Sequence, residues 1–251
     1  MHLVFITGTA GSGKSLLTAS LLGWYREKGE DAITVNLDPG VLNLPYEPDV
    51  DVRTMVDYEG LMTSYSLGPN GALVLASDLI AGKLPEIQDE IDSSNPEFVM
   101  VDTPGQVELF AFRESGPYLA KELRADSKSS LFLMDSLVAS SPTSFLSLLL
   151  LSTAVQLRME LPHIQVLSKV DLAKNAQEIS KWTTDPSLFE QRLSTTKSGE
   201  TYTFYSELFR ALRKASVSPD IYPVSAYTRD GFIALAGELS RIAKAGEEAS
   251  D

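Results

Sequence analysis

Six short apolar runs punctuate the chain, at 3–7, 32–36, 98–102, 131–135, 164–168 and 221–224. Each is continuous rather than alternating. A strand covered on both faces reads this way, because neither face meets water. Between the runs, apolar residues recur at helical spacing, as over 16–28. Strand alternating with helix predicts an α/β fold, a doubly wound and mostly parallel sheet with helices on both faces. Such sheets bind ligands at the carboxyl ends of their strands.

Two connections are too long for simple crossovers. The first, 38–96, carries Leu44-Pro45-Tyr46-Glu47-Pro48 and predicts helices over 55–65 and 73–81. The second, 174–219, predicts helices over 186–193 and 203–214. Long ordered insertions serve as switches, lids or partner surfaces. For the second, passive decoration is an equal reading. The apolar stretch 145–157 falls short of the roughly 20 residues a membrane span needs. It reads as a buried helix, with a face for a second copy as the alternative. There is no repeat, so 1–251 reads as one domain with a frayed tail over 246–251.

The first run leads into Gly8-Thr9-Ala10-Gly11-Ser12-Gly13-Lys14-Ser15, and a helix pattern follows. Glycines let the backbone curl until successive N–H groups face one point. The helix N-terminus adds free donors and the positive end of its dipole. Lys14 can reach β- and γ-phosphates, and the Ser15 hydroxyl can ligate Mg²⁺. Gly8, Gly11, Ser12, Gly13, Lys14, Ser15 and Leu16 are therefore expected around a nucleoside triphosphate. A three-layer P-loop NTPase fold is the predicted architecture.

Other strand ends supply the remaining chemistry. Asp102, in Asp102-Thr103-Pro104-Gly105, is placed to hold Mg²⁺ through water, and the Gly105 N–H to sense a γ-phosphate. Gln106 and Glu108 are candidates to orient the attacking water. Equally, they suit a helix's first turn. Asp38 either serves the same edge or makes a turn before Pro39. Asp171, in Ser168-Lys169-Val170-Asp171, can accept guanine's adjacent N1–H and N2–H and would repel adenine. The Lys169 stem can lie along the purine. An amide of Ser225-Ala226 can reach guanine O6.

Composition narrows the picture. A net charge of −13 repels nucleic-acid backbones and anionic membranes, so neither partner is expected. The absence of cysteine removes disulfides and thiolate chemistry and fits a reducing cytoplasm. Residue 1 opens directly into the first strand, so no signal peptide is expected. His2 and His163 offer no case for catalysis.

Taken in order, the phosphate loop, Asp102-Thr103-Pro104-Gly105, Ser168-Lys169-Val170-Asp171 and Ser225-Ala226 resemble the signature set of P-loop GTPases. With Asn36-Leu37-Asp38-Pro39, Leu44-Pro45-Tyr46-Glu47-Pro48 and Gly68-Pro69-Asn70, nearly the whole chain resembles the GPN-loop GTPases, and its compact length an archaeal-type homologue. The resemblance implies a homodimer that hydrolyses GTP to GDP with Mg²⁺. Asn70 would face the γ-phosphate and attacking water of the partner subunit, where an amide can orient water and polarise an oxygen. Catalytic roles would fall to Asp38, Asn70, Asp102, Gln106 and Glu108, and the metal to Ser15 and Asp102. The resemblance also implies a switch that assembles or matures protein complexes, RNA polymerase in eukaryotic relatives.

The sequence departs from that pattern at Ser168, where Asn usually bonds the base and braces the phosphate loop, so weaker bracing is expected. Tyr227 stands where Lys is usual, and Thr9 and Ala10 where some dimeric ATPases carry a lysine. Two other readings remain. A P-loop kinase would close a lid with arginines such as Arg192, Arg210 and Arg213. A scaffold would hold its nucleotide for structure alone.

Overall fold

The computed structural model describes residues 1–215 and 220–250, the stretch 247–250 as backbone only. One sheet contains β1 (His2–Gly8), β2 (Ala32–Asn36), β3 (Val50–Asp51), β4 (Phe98–Asp102), β5 (Ser127–Asp135), β6 (His163–Ser168) and β7 (Ile221–Val224). Their order is β3-β2-β4-β1-β5-β6-β7, and every neighbouring pair is parallel. The six predicted strands are all present. β3 was not predicted, because a two-residue edge strand is too short to show a pattern.

β5 starts at Ser127 rather than at 131, through four polar residues. Buried hydrogen bonds explain the difference. His2 Nδ1 and Nε2 meet the hydroxyls of Ser127 and Ser129 at 2.6 and 2.9 Å. His163 Nδ1 and Nε2 meet those of Ser130 and Ser152 at 2.8 and 2.9 Å. The serines satisfy the histidines, so a polar stretch can enter the sheet.

The helices are α1 (Lys14–Glu27), α2 (Tyr58–Ser64), α3 (Pro69–Gly82), α4 (Leu84–Ser94), α5 (Val107–Phe110) and α6 (Ser115–Glu122). They continue with α7 (Pro142–Met159), α8 (Ala176–Lys181), α9 (Pro186–Ser194), α10 (Gly199–Lys214) and α11 (Phe232–Ser250). On one face of the sheet, Leu17, Leu21 and Tyr25 of α1 and Phe232, Leu235 and Leu239 of α11 pack on Val4, Ile6, Leu131 and Val166. The opposite face receives α3, α4, α6, α7 and the second insertion. The three layers follow directly from strands apolar on both sides.

Gly68-Pro69-Asn70 does not form a free loop. Gly68 is the N-cap of α3 and Pro69 stands in its first turn, where a missing N–H costs nothing. α4 and α8 went unpredicted. The second insertion belongs to the core. Trp182 and Phe189 lie edge to face with centroids 5.8 Å apart, Phe145 of α7 meets Trp182 at 5.1 Å, and Phe209 stacks on Phe189 at 3.9 Å. α7 buries one face, including Phe145, Leu146 and Leu149, and leaves Leu150 and Leu157 exposed, the latter at 73%.

The helix α11 continues to Ser250, where a frayed tail was expected, and Gly246 packs against Asp126 and Ser127. Asp251, at the end of that expected tail, and 216–219, at the end of the second insertion, lie outside the described residues. Among the described residues, no helix is long and apolar enough to cross a membrane.

Candidate active site

The phosphate loop joins β1 to α1. Gly8, Gly11 and Gly13 have φ of 145°, 74° and 95°. Side chains rarely adopt these angles. At Gly8 a Cβ would also strike the Leu133 carbonyl, at 2.8 Å, so only glycine fits. Lys14 is buried and donates from Nζ to the carbonyls of Gly8 and Thr9, each at 3.1 Å, and of Gly105 at 3.0 Å. Burial lowers its pKa, and the charges of Asp102, Asp38 and Glu108 oppose that shift. An ammonium held by carbonyls alone is a cation ready for an anionic ligand.

Asp102 ends β4 and is 1% exposed. Burial lifts its pKa to about 6, against the hydroxyls of Ser15 and Tyr46 and the charge of Lys14. Tyr46 donates to Oδ2 at 3.0 Å, whereas Oδ1 is buried without a hydrogen-bond partner. That free oxygen beside Ser15 fits a hydrated magnesium ion. Among the described residues no group of three or more His, Asp or Glu could hold a metal by itself. Magnesium does not need one, since it keeps several waters and takes the rest of its shell from one or two protein oxygens and phosphates.

Asp38 reaches the same edge. Its Oδ1 accepts the Gly40 amide at 2.9 Å and its Oδ2 the Gly105 amide at 3.0 Å. Thus the turn before Pro39 forms, and the same carboxylate meets the loop after β4. The Gly105 amide, expected to await a γ-phosphate, is held by Asp38 instead. Gln106 caps α5, and Glu108 lies exposed in its first turn, near enough for its charge to act on Lys14. Asn70 is exposed and makes no hydrogen bond through its side chain among the described residues. The fold brings its helix beside this edge. Leu73 of α3 lies against Gly40, and the Tyr58 hydroxyl donates to the Pro69 carbonyl at 3.1 Å.

A cavity of about 380 Å³ opens from the phosphate loop. It is lined by Ser12, Gly13 and Leu16 on one side and by Lys169, Asp171 and Ala226 on the other. Tyr227, 83% exposed, stands at its rim. Lys169 Nζ donates to the Gly11 carbonyl at 2.6 Å and to Asp135 Oδ2 at 2.7 Å, which stretches its stem along the cavity. Ser225 is buried, and its hydroxyl accepts the Thr228 amide at 3.1 Å. The Ala226 carbonyl accepts the Ser20 hydroxyl of α1 at 2.7 Å, which fixes that turn to the phosphate-loop helix.

Ser168 does brace the phosphate loop. Its hydroxyl donates to the Ser12 carbonyl at 2.8 Å, close to the Met134 carbonyl at 3.2 Å. A short side chain suffices because β6 runs directly beneath the loop. Sequence reasoning missed Asp135 and gave Tyr46 no role. Asp135 carried a signal, an acid at the end of a strand. Tyr46 carried none beyond its place between two prolines. Two arginines of the second insertion pair within it: Arg210 binds Glu190 at 2.7 Å, and Arg192 lies 3.9 Å from Glu178.

Known proteins agree with this architecture. The family model described as a conserved hypothetical ATP binding protein matches residues 6–245. GPN-loop GTPase 1 of Saccharomyces cerevisiae is 29% identical over 92% of this chain and 63% of its own length. GPN-loop GTPase 3 of Schizosaccharomyces pombe is 31% identical over 70% of this chain and 65% of its own. The chain thus spans somewhat under two thirds of these curated relatives. A solved GTPase in apo form from Pyrococcus abyssi superposes with a TM-score of 0.83 at 31% identity, over 96% of this chain and 97% of that one. The chain belongs to the GPN-loop GTPase family.

Proposed function

We propose that the protein hydrolyses GTP to GDP and phosphate. The observation that carries this reading is a cavity that holds Asp171 and borders the phosphate loop at Ser12 and Gly13, beside the buried Lys14. Asp171 accepts two donors that guanine has and adenine lacks. Loop amides and Lys14 hold the β- and γ-phosphates. Ser15 and Asp102 would hold Mg²⁺, which neutralises charge on the phosphates when bound. Asp38, Gln106 and Glu108 border the place of the attacking water, and a carboxylate there can accept its proton.

The proposal extends to a homodimer in which Asn70 completes the partner's site. Its exposure, and the lack of a hydrogen bond from its side chain among the described residues, support this. Family membership supports a nucleotide-driven switch used in assembling or maturing protein complexes.

The test is turnover of GTP and ATP by purified protein, with Mg²⁺ and with EDTA, beside light scattering for the oligomeric state. GTP-selective turnover by a dimer is expected. Asp171→Asn should shift preference towards xanthosine triphosphate, whose C2 oxygen suits an amide donor. Equal or faster ATP turnover would refute the base assignment. Lys14→Ala and Asn70→Ala chains, mixed after proven subunit exchange, should recover one working site per heterodimer. No recovery would place each site within one chain.

A further inference from the structure

Tyr46 lies in the stretch between β2 and β3, a part of the first insertion that the hydrolysis chemistry does not use. Its hydroxyl nevertheless reaches Asp102, the residue best placed for the metal. We propose that Tyr46 is a positioning residue for the divalent cation: it holds one oxygen of Asp102 so that the other stays free for the cation's water. This rests on the reading of the site as a magnesium–nucleotide site.

Three observations carry the proposal. First, the two Asp102 oxygens differ. Oδ2 accepts the Tyr46 hydroxyl at 3.0 Å, and Oδ1 is buried with no partner. A buried acceptor left unpaired is costly, so a ligand that supplies a donor there gains what the free protein lacks. Second, the last torsion of an aspartate is broad and has no sharp staggered minimum. Something outside the residue must fix the carboxylate plane; the Tyr46 hydroxyl meets Oδ2 from the insertion side, and the Ser15 hydroxyl acts on the carboxylate from the phosphate-loop helix.

Third, the loop that carries Tyr46 is pinned at both ends. Asn36 Nδ2 donates to the Asp38 carbonyl at 3.1 Å and to Asp51 Oδ1 at 2.9 Å. Arg53 pairs with Asp51 and donates to the Val41 carbonyl at 3.2 Å. Beyond Tyr46, Asp49 accepts the Thr34 amide at 2.8 Å. Pro45 and Pro48 bracket the tyrosine and restrict φ on either side. A mobile loop could not hold a carboxylate plane, whereas a braced one can.

The experiment measures equilibrium binding of a fluorescent GDP analogue in EDTA and across a Mg²⁺ titration. Wild type, Tyr46→Phe and Asp102→Ala are compared. Tyr46→Phe keeps the ring and removes only the donor. Its affinity in EDTA should stay within about twofold, while its Mg²⁺ half-saturation rises about tenfold, the effect of one hydrogen bond to a charged group. Equal loss in EDTA and in Mg²⁺ would mean that the tyrosine merely supports the loop, and would overturn the proposal. An unchanged Mg²⁺ half-saturation would overturn it too. If Asp102→Ala matches wild type throughout, the metal reading of Asp102 itself fails, and this inference falls with it.

Discussion

The Asp38 carboxylate spans from the end of β2 to the loop after β4 and accepts the Gly105 amide at 3.0 Å. A γ-phosphate carries charge of the same sign and seeks the same kind of donor, so the two compete. Triphosphate would displace Asp38 from Gly105 and free its carboxylate for water, and diphosphate would let it return. Asp38→Ala should therefore strengthen binding of a non-hydrolysable GTP analogue about three- to tenfold and leave GDP binding alone. Turnover should fall about a hundredfold, the usual contribution of a positioned base. Fluorescence titration with both nucleotides reads the first effect. Weaker analogue binding would mean that Asp38 assists the γ-phosphate.

Ser168 braces the phosphate loop through the Ser12 carbonyl. Ser168→Ala removes that donor and leaves a buried acceptor short, a loss of about 1 kcal/mol. GDP affinity should drop about fivefold and the Tm by roughly 2–4 °C. Ser168→Asn restores the residue usual in the family, yet it should not improve binding. The hydroxyl already sits 2.8 Å from its acceptor in a buried slot, so a longer side chain must push the loop. Tighter GDP binding by the asparagine variant would show that the slot has room.

What the sequence disclosed, and what it hid, divides along a physical line. Strands such as β1 and β4 announce themselves because both faces are apolar. The phosphate loop and Asp171 announce themselves because their chemistry demands fixed residue types at fixed spacing. Hydrogen bonds between distant side chains leave no such mark. The His2–Ser129 pair extends β5 through polar residues, and the Tyr46–Asp102 pair joins an insertion to the end of β4. Nor did the pattern tell that Gly68 and Pro69 begin a helix, since the same residues begin turns.

The second insertion is tied to the domain by aromatic packing. Phe189 is fully buried between Trp182 and Phe209. Phe189→Ala should cost about 3–5 kcal/mol, from lost burial and the cavity left behind. Urea unfolding should remain one transition with a lowered midpoint. A separate early transition, with the rest of the protein unfolding at the wild-type midpoint, would mean that the insertion folds apart from the sheet.

His2 and His163 give the fold a defined sensitivity to acid. Burial lowers both pKa values from 6.5 to about 4, since the charged form would lose its water. Their serine partners supply no negative charge to offset that. In the unfolded chain both would take up protons near pH 6.5, and in the folded protein only near pH 4. The unfolded state therefore binds more protons in this window, and stability falls as the pH drops through it. The loss reaches an order of 2–3 kcal/mol per histidine at pH 4 and vanishes above about pH 7. Asp102 acts in the opposite sense. Its folded pKa, raised to about 6, lets the native state take a proton first and gain stability as pH falls below that value. The histidine share is therefore read by difference. His163→Gln, which keeps a polar partner for Ser130 and Ser152, should lower stability at pH 7.5 and flatten its fall between pH 6.5 and 4. Urea midpoints across that range measure both. A slope unchanged from wild type would mean that His163 gains its proton without unfolding.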